Sequence, residues 1–165
     1  MEQHISPVFD TASDVVRFIE PQREKGATVV TTNGCFDLIH PGHVSYLNEA
    51  AALGTMLIVG VNCDAVVRAL KGPGRPVFSA SDRAHVIAAL QMVDAAFVFE
   101  EPDPRAFIDI LKPDIHVKGG DYSGAIIEKE SVERNGGTVR FVSYLKNYST
   151  SNIVKRIRSH TAFDK

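Results

Sequence analysis

The 165 residues are 44% hydrophobic and carry a formal charge of -2, which suits one domain with a proper core and leaves no comfortable room for two. A binder of nucleic acid or of a membrane surface is expected to be basic, and this chain is not. Its two cysteines, Cys35 and Cys63, give neither a disulfide framework nor a metal-ligand spacing, so reduced thiols in a cytoplasm are expected.

Met1–Ser6 shows no basic stretch leading into an apolar core, so no secretory leader is expected. No apolar run approaches the roughly 20 residues of a membrane helix. Thr11 to Lys25 reads as an amphipathic helix with Val15, Val16, Phe18 and Ile19 on one side, stopped by Gly26. Residues 1–26 therefore form an N-terminal helical segment ahead of a domain over residues 27–165. The first strand is Thr28–Thr32, followed by the turn Asn33–Asp37. Pro41 then opens a helix through Val44, Leu47, Ala50 and Ala51 that ends at Gly54.

Met56–Val61 is a nearly continuous apolar run, as in a strand covered on both faces. A short helix over Asp64–Leu70 precedes the loop Lys71–Pro76. Ser79 and Asp82 have capping-box spacing before a helix over Arg83–Leu90. Ala95–Phe99 is a third strand, and Asp103 caps a helix with Pro104 at its first position and Pro113 beyond its end. Ile115–Lys118 is a short strand running into Gly119–Tyr122. Thr138–Val142 alternates like an edge strand, and Ser149–Ser151 opens a last helix carrying Ile153, Val154 and Ile157.

Strands alternating with helices imply an α/β fold, with parallel βαβ units in an open, doubly wound sheet. Ligands in such sheets lie beyond the carboxyl ends of the strands. Asn33–His43, Lys118–Tyr122 and Ser149–Ser151 each follow a strand, so three polar segments point at one edge.

The first turn lacks the G-x-G-x-x-G of a dinucleotide site, which argues against a nicotinamide enzyme. Gly34 lets backbone approach a ligand, although a plain strand-to-helix turn would also need it. His40 and His43 stand three apart at a helix entrance and can share a face. Capping by His40 and packing by His43 is the plainer alternative, and a metal would need further ligands that neither cysteine supplies. Gly42 clears the helix mouth where an anion would sit, and the preceding strand and turn favour a phosphate there. Lys71 and Arg75 bracket Gly72–Gly74, either as solvated surface or as a flap bringing charge over phosphates. Arg83 sits in a helix's first turn, against the dipole, which an anionic partner would explain. Lys118, Gly119, Gly120 and Asp121 offer a cation, permissive backbone and a carboxylate, or simply a loop. Ser149, Thr150 and Ser151 are a helix cap that also suits a phosphate.

Taken together, Thr32–Asp37, His40–His43, Val61–Asn62, Leu70–Gly72, Arg75–Val77, Val117–Tyr122 and Ser149–Ile153 resemble the nucleotidyltransferase superfamily with the H-x-G-H signature. More narrowly, they resemble the adenylyltransferase domain of bacterial ADP-heptose synthases, over about residues 28–157. The resemblance implies a Rossmann-like nucleotidyltransferase fold and transfer of AMP from ATP, with Mg²⁺, to D-glycero-β-D-manno-heptose 1-phosphate for the lipopolysaccharide core. It implies catalytic roles for His40, His43 and Lys71. Nucleotide contacts would come from Asn33, Gly34, Cys35, Phe36, Gly42, Arg83, Lys118–Asp121 and Ser149–Ser151, and sugar-phosphate contacts from Asp37 and Arg75. Many relatives carry a fused sugar kinase that these residues cannot form, so a separate kinase partner is implied. The apolar helix faces permit a homodimer without demanding one.

Two alternatives stay open. One is a cytidylyltransferase acting on a polyol or amino-alcohol phosphate. That branch has an Arg-Thr-Glu-Gly-Ile run before its Ser-Thr-Thr, where this chain has Tyr144–Tyr148 with no arginine. The other is a nucleotide-binding regulatory module without catalysis.

Overall fold

A computed structural model describes residues 5–120, 126–143, 145 and 148–159. The chain enters through a two-residue strand, β1 (Val8–Phe9), and helix α1 (Ala12–Arg23), whose N-cap Thr11 accepts from the Asp14 amide. Gly26, at φ 87°, turns the backbone after α1, a conformation open to glycine without a Cβ penalty. There follow β2 (Val29–Gly34), α2 (Pro41–Ala51), β3 (Met56–Asn62), α3 (Asp64–Lys71) and α4 (Ala80–Ala88). The second half supplies β4 (Ala95–Phe99), α5 (Arg105–Leu111), β5 (Ile115–Gly119), α6 (Lys129–Arg134), β6 (Thr138–Val142) and α7 (Thr150–Ser159).

The six strands form one sheet in the order β1-β4-β3-β2-β5-β6, and every neighbouring pair is parallel. All seven residues of β3 are buried, as befits an inner parallel strand covered on both faces. On one face Tyr46, Leu47 and Ala50 of α2 and Ala84 and Ile87 of α4 pack with Leu57, Val59 and Val117. On the other, Val15 and Ile19 of α1, Phe107 and Ile108 of α5 and Val132 of α6 pack with Val29, Ile58 and Phe97. Burying a large apolar side chain is worth about 1.5–3 kcal/mol, so these two layers fix which helices lie on which face.

The chain moves outward from β2 through β3 to β4, then returns to place β5 on the other side of β2. That reversal opens a crevice at the carboxyl ends of β2 and β5. The open, doubly wound sheet and the edge position of β6 agree with the pattern of the sequence. Three details differ. β1 and α6 were not expected, because two and six residues carry too little periodicity to stand out. β2 runs on to Gly34, in register with Val61 of β3, so Asn33 and Gly34 belong to the strand rather than the turn. α4 begins at Ala80, directly after the Ser79 cap, and α5 begins at Arg105, with Pro104 in the cap position.

Candidate active site

The connection from β2 to α2 forms one wall of the crevice. A Cβ on Gly34 would lie 3.0 Å from the Phe36 ring, so glycine there lets that ring fold back over the strand end. Phe36 itself takes a left-handed backbone, φ 47°, and is held by burial and by its contact with the His43 ring at 5.4 Å. Asp37 is buried and accepts from the Val77 amide at 2.7 Å and the Phe78 amide at 3.3 Å. It also pairs with Arg75 Nε. Asp37 and Arg75, expected at the sugar phosphate, are thus tied to each other and anchor the loop after α3 against the β2–α2 turn.

His40 occupies the N-cap position of α2 but makes no capping bond with its side chain. Its ring instead stacks on that of His43, with centroids 3.8 Å apart and planes 22° from parallel. Gly42 makes this possible, because a Cβ there would stand 3.0 Å from the His40 ring and 3.1 Å from Tyr148 Cβ. Burial lowers the pKa of His40. Burial, and then the neighbouring His40, push His43 down to about 4. Both rings are therefore neutral near pH 7 and act as hydrogen-bonding groups rather than fixed charges. Among the described residues, Nδ1 of each ring and Oδ1 of Asn33 are buried without a hydrogen-bond partner. An unsatisfied buried polar atom costs about 1–3 kcal/mol, and three in one place mark a site built for something to bond to them.

Opposite stands α7. Ser149 Oγ accepts from the Asn152 amide at 3.1 Å, and Thr150 donates to the Leu38 carbonyl at 3.4 Å, which ties α7 to the β2–α2 connection. The cavity between these walls has a volume of about 450 Å³ and takes its lining from both helix starts, at His40, Gly42 and His43 and at Ser149–Ser151. Two helix N-termini facing one space give free amides and positive dipole ends, which favour an anion. Asn33–Asp37 line the same space, as do Lys71 from the end of α3, Arg75, and Lys118 and Gly119 from β5.

The remaining predicted residues sit elsewhere. Arg83 does not line the cavity. Its guanidinium, fully buried, donates to the carbonyls of Phe78 (3.0 Å), Cys35 (2.5 Å) and Asn62 (2.8 Å) and to Asp64 Oδ1 (2.7 Å). Protein oxygens, not a bound anion, account for an arginine in the first turn of α4. Gly120, φ 118°, donates its amide to the Val142 carbonyl and does not line the cavity. Asp121 and Tyr122 lie outside the described residues, as do Tyr144, Lys146 and Asn147.

Two groups escaped the sequence reading. Glu128, just before α6, is buried and places Oε1 2.5 Å from Lys118 Nζ and 3.8 Å from His116 Nε2. Burial alone would raise its carboxyl, but His116 and Lys118 hold it down at about 2. His116, wholly inside the molecule, bonds through Nδ1 to Thr31 Oγ1 at 2.8 Å. Neither could be found by spacing, since His116 hides in a strand pattern and Glu128 precedes a helix of six residues. Among the described residues no group of three or more His, Cys, Asp or Glu side chains is placed to hold a metal ion.

A cytidylyltransferase-like family model matches residues 31–160. The chain is 50% identical over 140 residues to the bifunctional protein HldE of Syntrophotalea carbinolica, covering 84% of this chain and 29% of that protein. To the bifunctional protein HldE of Pelobacter propionicus it is 47% identical over the same shares. The chain therefore spans about 29% of the length of these curated relatives. Among solved structures, a lipopolysaccharide core biosynthesis protein from Thermoplasma volcanium superposes with a TM-score of 0.61 at 33% identity. That match covers 75% of this chain and 100% of the other.

Proposed function

The chain belongs to the cytidylyltransferase-like family, and we propose that it transfers AMP from ATP to D-glycero-β-D-manno-heptose 1-phosphate, giving ADP-heptose and pyrophosphate. The observation that carries this reading is the stacked His40–His43 pair, with unpartnered ring nitrogens, in a cavity shared by two helix N-termini. The likeness to bifunctional HldE proteins supports a heptose phosphate over other acceptors. Residues 27–165 are the transferase domain in this reading, with residues 1–26 ahead of it contributing β1 to its sheet and α1 to its core. ATP and a sugar phosphate place the reaction in the cytoplasm. A separate sugar kinase, phosphorylating the anomeric oxygen, takes part in supplying the acceptor in this reading.

The chemistry is in-line attack by an acceptor phosphate oxygen on the α-phosphorus of ATP, with pyrophosphate leaving on the opposite side. The nucleophile is already ionised, so no general base is required. The barrier lies in bringing two anions together and in stabilising charge on the α-phosphate and the leaving group. Such transfers depend on positioning and electrostatics. His40 and His43 donate hydrogen bonds to the triphosphate, the starts of α2 and α7 offer amides, and Lys71 brings positive charge from the end of α3. Cys35 and Phe36 hold the nucleotide through backbone at the end of β2. Mg²⁺ carried by the triphosphate would neutralise phosphate charge without requiring a carboxylate from the protein. That fits a cavity whose carboxylate, Asp37, is already committed to Arg75.

The test is pyrophosphate release measured with sugar and polyol phosphates crossed with the four nucleoside triphosphates. The expected result is turnover with ATP and heptose 1-phosphate well above every other pair. Turnover with CTP and a polyol or amino-alcohol phosphate would replace the reading. Nucleotide binding without any pyrophosphate would reduce the chain to a regulatory module.

A further inference from the structure

β5 alternates across the sheet, so His116 and Lys118 share one face while Val117 packs on the other. On the His116 face the buried Glu128 carboxylate reaches both side chains, at 3.8 Å and 2.5 Å. A chain of contacts thus runs from Thr31 in β2 through His116 and Glu128 to Lys118 at the cavity. Placing a carboxylate inside a protein is unfavourable unless it is paired, and a surface glutamate before a short helix would need no such arrangement. Its partner is also the cavity-lining end of β5. An unrestrained lysine side chain samples many rotamers, whereas one ion-paired to a fixed carboxylate keeps one location. The ammonium has three N–H donors, so pairing with Glu128 leaves others for a ligand.

We infer that Glu128 is a positioning residue for nucleotidyl transfer, holding the Lys118 ammonium at the end of β5 so that it meets the phosphates in the cavity; this rests on the transferase reading above. Lys118 is the contacting group, and Glu128 acts only through it. His116, itself hydrogen-bonded to Thr31, stands behind the carboxylate at 3.8 Å. The Glu128–Lys118 pair is neutral overall, so its contribution is a donor fixed in place rather than added charge. Glu128→Gln frees the ammonium and raises the local positive charge. It should therefore slow turnover without weakening nucleotide capture.

The experiment measures kcat and KM for ATP, by pyrophosphate release, in the full chain and in Glu128→Gln, Lys118→Gln and the double variant. Thermal melting of each reports folding. Glu128→Gln should lower kcat on the order of tenfold with an unchanged or lower KM for ATP. The double variant should be no slower than Lys118→Gln alone, which a merely structural role for Glu128 would not produce. Losses that multiply in the double variant, or a wild-type kcat in Glu128→Gln, overturn the inference. Should Glu128→Gln fail to fold, Glu128→Asp keeps the charge but draws it back, and a wild-type kcat there overturns it equally. A wild-type chain that releases no pyrophosphate overturns both this and the transferase reading, whereas an active wild type with an unaffected Glu128 variant overturns this alone.

Discussion

His43 combines features that seldom coincide in a residue placed for packing alone. It is stacked on a second imidazole, its Nδ1 has no partner, and burial holds it neutral far below its ordinary range. A ring placed only for packing would turn its nitrogens toward partners or solvent. Removing one preorganised donor to developing charge typically costs about 3–4 kcal/mol, or about 10²–10³ in rate. His43→Ala is expected to lose turnover on that scale while melting cooperatively; a retained rate would remove the ring from the chemistry. Arg83 teaches the opposite lesson. The sequence shows an arginine at the wrong end of a helix dipole, but its acceptors lie 5 to 48 residues away along the chain. Only the folded structure assembles them.

At the scale of elements, the site depends on how α2 starts. Gly42 is helical, and replacing a helical glycine by alanine ordinarily gains up to about 1 kcal/mol. Here the added Cβ would press on the His40 ring and on Tyr148 at about 3.0 Å. Gly42→Ala is therefore expected to leave the melting temperature unchanged or slightly raised while slowing turnover at least tenfold. A faster or unchanged variant would show that the ring geometry is not limiting. This element was legible because its cues are local: a strand ending, a proline at the first helical position, and two histidines flanking a glycine. Ser149–Ser151 was legible for the same reason, as a cap before a periodic segment. α6 was not, and with it Glu128 was missed. A six-residue helix shows less than two turns of pattern, and the value of its neighbouring carboxylate lies in a strand that only the sheet order brings near. Asp37 was singled out in the turn after β2 but was not legible as an anchor, because its partners belong to the loop after α3.

For the whole molecule, the buried ionisable groups set how stability depends on pH. The folded pKa of His43, about 4, lies below its ordinary 6.5, and burial lowers His40 and His116 as well. Between those limits the unfolded chain binds protons that the folded chain refuses. Their contribution is whole above about pH 6.5 and falls as the pH drops toward 4. Glu128, held at about 2 against an ordinary 4.5, adds a second loss as the pH falls from 4.5 toward 2. Urea midpoints should therefore decline below pH 6.5 and decline again below 4.5, and His43→Gln should flatten the first decline. A midpoint constant from pH 7 to 5 would contradict the burial of these rings. The sheet order was legible only as alternation; that β5 lies beside β2, which creates the crevice, follows from the parallel pairing seen in the fold.

The most direct test of imidazole-held triphosphate chemistry is a crystal structure of the chain with a non-hydrolysable ATP analogue and Mg²⁺. His40 and His43 should each place a ring nitrogen about 3 Å from a triphosphate oxygen, between the starts of α2 and α7. A nucleotide bound elsewhere on the sheet, with both rings still stacked and touching no phosphate, would contradict it.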